Sequence, residues 1–269
     1  MTLTAHNASA LSGRLVGIIW GDTKVGKTTW ACSLPGRKLL INFDPEGYSS
    51  IAQREDVDVI DLSNELPKDA MRMASQAATF IKENADKYSS VITDSITTLT
   101  ETSLYAAIAN GVGKSDKFAP SLDAPGLSAW GARNNGVNDI IGKIIRATGQ
   151  TKLHCFFIAH ADDPEFSKDG KSIVQQTIMV SAKIRQMAGL KVSEIYYMET
   201  SQGRRKVYLT SYGVKKPMGS RIFNTEKFKS FDLHYDPTKP DAGQNCSLHN
   251  IVQMWQETGF KKLEGLPKI

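Results

Sequence analysis

Apolar residues fall into two patterns along this chain, and each predicts a different kind of element. Short continuous runs, rich in β-branched and aromatic residues and bounded by turn signals, occur at Leu15 to Trp20, Lys38 to Phe43, Val57 to Ser63, Val91 to Thr93 and Leu153 to His160. Runs of that length read as strands, most of them buried. Elsewhere the apolar positions recur at helical spacing. Ala70, Met73, Ala74, Ala77, Phe80 and Ile81 form one stripe within residues 68–88, and Trp130, Val137, Ile140, Ile141, Ile144 and Ile145 another within 127–148. Both predict helices that pack on a sheet. Residues 27–34, 95–110 and 181–190 predict further helices, and 247–260 a short amphipathic one with Ser247 as its cap. Residues 192–213 read as a β-hairpin turning at Ser201 to Arg204. Strands alternating with helices point to an α/β fold with a mostly parallel central sheet flanked by helices, followed by a late β-hairpin.

Two stretches lack periodicity. Asn110 to Leu127 is rich in Gly, Pro, Asp and Ser, and Ala161 to Gln176 is strongly polar. Phe231 to Cys246 also reads as loop. Composition narrows the class: 269 residues allow one large α/β domain and little more, and 41% hydrophobic with 23% charged residues is ordinary for a soluble globular protein. The longest apolar runs are far below the roughly 20 residues of a membrane span. The first residues show no basic cluster followed by an apolar core, so no secretory signal is expected. Cys32, Cys155 and Cys246 are far apart and without zinc-ligand spacing, which fits reduced thiols and a cytoplasmic location. The net charge of +5 is compatible with a nucleic-acid partner without requiring one.

The sharpest chemistry lies just after the first strand. Gly21 to Thr28, GDTKVGKT, fits the phosphate loop GxxxxGK[ST], with a strand before it and a helix after it. Gly21, Asp22, Thr23, Lys24, Val25 and Gly26 would wrap backbone amides around a phosphate chain, continuing through Lys27, Thr28 and Thr29. Lys27 would reach the β- and γ-phosphates, and Thr28 would offer its hydroxyl to Mg²⁺. Asp94 ends the strand Val91 to Thr93 and is the second candidate for holding Mg²⁺, through water; capping of the following helix is its plainer reading. Ser95, not Glu, follows Asp94, so the carboxylate that activates water is expected elsewhere. Glu46, just past the strand Lys38 to Phe43 together with Asp44, is the candidate general base; the alternative is a turn carboxylate in DPEG.

A phosphate loop, a strand ending in Asp-x-Glu, then an apolar strand ending in Asp-Ser before an apolar helix: this order resembles the RecA/Rad recombinase ATPases, with VITDSITTL especially similar to their Walker B region. Within that superfamily, the compact length and GDTKVGKTT…LPGRKLLINFDPEG resemble the phage-encoded Sak-type proteins, an AAA-type phage nucleotide-binding family associated with single-strand annealing and recombination. The resemblance covers residues 14–222, leaving 1–13 as an N-terminal segment and 223–269 as a C-terminal extension. It implies a RecA-like P-loop NTPase core that uses ATP and Mg²⁺ and hydrolyses ATP under stimulation by single-stranded DNA. It also implies a homo-oligomer, filament or ring, with ATP between subunits, a single-strand-binding protein as a further partner, and the host-cell cytoplasm as location.

The resemblance also carries residue roles. His160, at the end of its strand, matches the polar residue that senses the γ-phosphate; a capping or satisfied core histidine is the other reading. Residues 110–127 and 161–176 correspond to the first and second DNA loops. Lys114, Lys117 and Phe118 in one, and Phe166, Lys168 and Lys171 in the other, offer the cations and aromatics that single strands require, while Asp162, Asp163 and Glu165 oppose phosphate. Lys215 and Lys216 are placed like the lysine pair that reaches a neighbouring subunit's γ-phosphate, with Arg221 as an alternative finger; a basic surface turn explains them almost as well. The basic end KKLEGLPKI departs from the acidic tail of bacterial RecA, so tail-based autoinhibition is not carried over. Three other classes compete. A small-molecule kinase needs an arginine-rich lid, for which QGRRK (Gln202 to Lys206) is the one candidate; a helicase motor would carry extra domains; a nucleotide-dependent switch would leave both loops without a role.

Overall fold

The computed structural model describes residues 13–45, 47–113, 121, 124–233 and 246–266. Its strands are β1 (Val16–Gly21), β2 (Lys38–Asn42), β3 (Val57–Asp61), β4 (Ser90–Asp94), β5 (His154–His160), β6 (Glu165–Phe166), β7 (Ile173–Gln175), β8 (Glu194–Ser201), β9 (Arg204–Tyr208) and β10 (Ser230–Leu233). The helices are α1 (Lys27–Ala31), α2 (Pro67–Glu83), α3 (Ile96–Ala109), α4 (Leu127–Gln150), α5 (Ala182–Lys191) and α6 (Leu248–Glu257). Eight strands form one sheet in the order β10-β9-β8-β1-β5-β4-β2-β3. From β3 to β8 the pairings are parallel, and β9 and β10 are antiparallel additions.

The burial of each strand follows from its neighbours. β1, β2 and β4 are buried at every position, because helices cover both faces of a parallel sheet. Edge strand β3 is only partly covered, which is why its sequence alternates. One face carries α2 to α5, with Ala74, Ile81, Leu99, Val137, Ile144 and Ile184 packed under them. The other carries α1 and α6, with Trp30, Leu248, Ile251 and Val252 in the second core. β8 and β9 are joined through Gln202 and Gly203, both at positive φ (51° and 74°), as a two-residue hairpin turn requires. Among the described residues, no helix is long and apolar enough to cross a membrane.

Several elements differ from the sequence-based expectations. α1 stops at Ala31, short of the expected Leu34. Phe80 and Trp130, expected on buried stripes, are each 37% exposed. Phe231 to Leu233, read as loop, lies in β10, which extends the main sheet. Residues after 222 also seal the α1 face: the Trp30 indole N–H donates to the Cys246 carbonyl at 2.8 Å, and the Leu248 N–H to Ser33 Oγ at 2.9 Å. The polar stretch 161–176 contains the ribbon β6–β7.

At the opposite edge of the sheet from the phosphate loop, His154 accepts the Leu15 N–H on Nδ1 at 3.2 Å. Burial pushes its pKa down from 6.5 to about 4, and nearby Arg14 adds to the effect. The unfolded chain takes up this proton below pH 6.5, whereas the folded protein resists it until about pH 4. Stability present above pH 6.5 is therefore lost as pH falls through that window, by up to roughly 3 kcal/mol. His154→Asn keeps an acceptor without a titrating group, so urea unfolding at pH 7 and pH 4.5 is expected to show a smaller acid loss in the variant. Equal losses in the two proteins would refute this role.

Candidate nucleotide site

The site forms where the carboxyl ends of β1, β2, β4 and β5 meet, since the register aligns Gly21 with His160 and Asn42 with Asp94. Gly21 (φ 153°) is required by crowding: a Cβ there would lie 2.0 Å from the Met198 carbonyl oxygen. The loop then exposes Asp22, Thr23 and Lys24 and buries Val25 against the second core. Gly26 holds φ 93° at the turn into α1.

Lys27 is 5% exposed, and its ammonium donates to the carbonyls of Gly21 (2.9 Å) and Asp22 (2.6 Å). Burial pushes its pKa down to about 8, against the pull of Asp94, Asp44 and Asp22. A lysine folded back on its own loop, in an anionic cluster, is held where a phosphate chain can take over from the carbonyls. The Thr28 hydroxyl donates to Asp94 Oδ2 at 2.6 Å. Asp94 is 2% exposed, and burial, with Asp44 next, pushes its pKa up to about 6. A hydroxyl and a carboxylate brought together at the loop are hard oxygen donors, so the pair fits Mg²⁺ that also takes phosphate oxygens and water. Among the described residues no cluster of three or more His, Cys, Asp or Glu could hold a metal ion by itself. Ser95, not Asp94, caps α3, accepting the Thr98 N–H at 3.2 Å.

The acid at the end of β2 is tied into this centre. Asp44 Oδ2 lies 2.9 Å from His160 Nε2, while Oδ1 accepts from Ser95 Oγ at 2.9 Å and from the Thr98 hydroxyl. Burial raises its pKa, but these hydrogen bonds outweigh burial and hold the carboxyl below its ordinary value. His160 Nδ1 lies 3.4 Å from Lys27 Nζ. A neutral imidazole protonated at Nε2 satisfies both contacts, donating to Asp44 and accepting from Lys27. Lys27, Thr28, Asp94, Asp44 and His160 thus form one connected set. Asp44 was visible in the sequence only as a companion of Glu46. Ser95 and Thr98 carry a capping spacing but no signal for contact with a distant acid.

Glu46 falls outside the described residues, as do Lys114, Lys117 and Phe118. Phe166 (58% exposed), Lys168 and Lys171 project from the β6–β7 ribbon together with exposed Ile173 and Val174. The ribbon grows directly from β5: the Met179 N–H donates to the His160 carbonyl at 2.9 Å and the Asp162 N–H to the Thr177 carbonyl at 2.7 Å. It is also pinned to the segment before the late cations, through Gln176 N–H to Val214 O and Lys216 N–H to Gln176 O, both 3.0 Å. Lys215 is paired with Glu199, and its ammonium sits 4.5 Å from the Tyr197 ring centroid; Lys216 and Arg221 are exposed.

A family model described as AAA domain matches residues 14–222, more than half of the 269-residue chain. The chain belongs to the AAA domain family. Membership supports nucleotide binding and ATPase activity for this AAA domain, and the loop, Thr28 and Asp94 supply the matching groups. No curated protein shows a significant match to the sequence.

Proposed function

We propose that this AAA-domain protein is a RecA-like ATPase that acts on single-stranded DNA in phage recombination or single-strand annealing, in the manner of the Sak-type proteins. The observation that carries the proposal is His160. It stands between the phosphate-loop lysine and the root of an exposed ribbon bearing Phe166, Lys168 and Lys171. A triphosphate that draws Lys27 away from the carbonyls changes what His160 Nδ1 faces. His160 is held from behind by Asp44, and its carbonyl accepts from Met179 on the segment that returns from β7, so a shift of β5 is passed to both ends of the ribbon. Phosphate occupancy is thereby coupled to the surface that would grip DNA, through cations along the backbone and an aromatic on which bases stack.

In this reading Mg²⁺, held by Thr28 and Asp94 with the phosphates, supplies charge neutralisation at the transferring phosphoryl group. Glu46 orients and deprotonates the attacking water. Asp44 suits that role poorly, because both its oxygens are engaged and its proton affinity is low. Subunits assemble with ATP between them, and exposed Lys216 and Arg221 are the cations that would reach across, Lys215 being paired with Glu199.

The test is ATP hydrolysis measured with and without single-stranded DNA at two salt concentrations. Stimulation by DNA that weakens as salt rises is expected, because neutralising phosphates releases counterions. ATP turnover indifferent to DNA, or phosphate transfer to a small metabolite, would defeat the proposal in favour of a switch or a kinase.

A further inference from the structure

Of the basic residues in the QGRRK turn, Arg205 is the one that meets the phosphate loop. On β9, Val207 packs into the core that also holds Trp30 of α1, and Arg205, two residues earlier, projects from the same face toward the hairpin end. There it lies against Gly26: a Cβ built on that glycine would be 3.3 Å from Arg205 Nε, 3.4 Å from Cδ and 3.5 Å from Cζ. The side chain is half-buried, and among the described residues its guanidinium makes no hydrogen bond and has no carboxylate partner. A half-buried, unpaired arginine at a loop shaped for anions lacks its counter-charge.

The sheet order says which part of an anion it would meet. β8 and β9 flank β1 on one side, and β5 and β4, carrying His160 and Asp94, flank it on the other. The Thr28–Asp94 pair, which would mark the metal-holding end of the phosphate chain, lies on the β5–β4 side of the loop, and Arg205 on β9 reaches Gly26 from the other side of β1. We infer that Arg205 is a nucleotide-binding residue contributed by the same subunit, its guanidinium gripping the phosphate nearest the nucleoside. The inference rests on the loop being a nucleotide site and adds a residue to it.

The test is calorimetric titration of the full chain, wild type, Arg205→Ala, Arg205→Lys and Arg204→Ala, with ATP and with ADP. Arg205→Ala is expected to weaken both nucleotides by a similar factor, roughly tenfold to a hundredfold, the loss of a charge-assisted hydrogen bond. Arg205→Lys keeps charge without the planar fork and should recover part of that loss. Arg204→Ala, which changes net charge equally on an exposed neighbour, should leave both affinities unaltered. Unchanged affinity in Arg205→Ala would overturn the inference while leaving the nucleotide site standing. A loss confined to ATP would overturn the assignment to the inner phosphate, and an equal loss in Arg204→Ala would reduce the effect to general charge. Failure of the wild type to bind either nucleotide would instead remove the reading on which the inference depends.

Discussion

Lys27→Ala is expected to lower affinity for ATP by roughly a hundredfold to ten-thousandfold, the loss of about two charge-assisted contacts to phosphate. The native geometry explains why so much rests on one side chain. The ammonium is almost entirely buried and faces Asp94, Asp44 and His160 from a single point. Removing it does more than delete a donor, since the acids then confront an incoming anion with no intervening cation. Lys27→Met separates the two effects: it keeps the hydrophobic stem, so the fold is preserved, and it should lose affinity as severely as alanine. Titration calorimetry on both variants, with thermal melts as the control for folding, is the measurement. Near-wild-type affinity in the methionine variant would mean that the loop amides alone hold the nucleotide.

The second large effect concerns turnover. Glu46→Gln is expected to retain ATP and to reduce hydrolysis by roughly a hundredfold to ten-thousandfold, the range supplied by a positioned general base. Asp44→Asn is the informative partner, because the two acids stand two residues apart after β2 and only one can be the base. Asp44 receives hydrogen bonds from Ser95 and Thr98 and pairs with His160, and its carboxyl is held below its ordinary value. Such a group orients its neighbours rather than accepting a proton. Asp44→Asn should therefore spare most basal hydrolysis and, on the proposed function, blunt the stimulation expected from single-stranded DNA by loosening His160. If Asp44→Asn abolishes basal turnover while Glu46→Gln leaves it intact, the two roles are reversed.

What could be read before any fold was known divides along the range of the interactions. The phosphate loop was legible because its chemistry is local: glycines where the backbone turns back, then lysine and a hydroxyl one residue apart. The buried strands were legible because a sheet covered on both faces demands continuous apolar runs. Ser247 announces its helix because a cap lies within one turn of what it caps. β10 was hidden because an edge strand of four residues needs no long apolar run once Val207 and Phe231 share a core.

Residue spacing, then, was enough to read a nucleotide-binding α/β domain with Asp94 at the end of a buried strand, since loops and strands are specified by neighbours in the chain. Contacts between residues far apart came only from the tertiary structure. Asp44 reaches across 116 positions to His160, Lys27 lies 133 positions from that same histidine, and Arg205 meets Gly26 from the far side of β1. Those meetings are set by the order in which strands pair, and strand order is decided by how helices cover the two faces of the sheet, a property of the packed whole that no local pattern encodes.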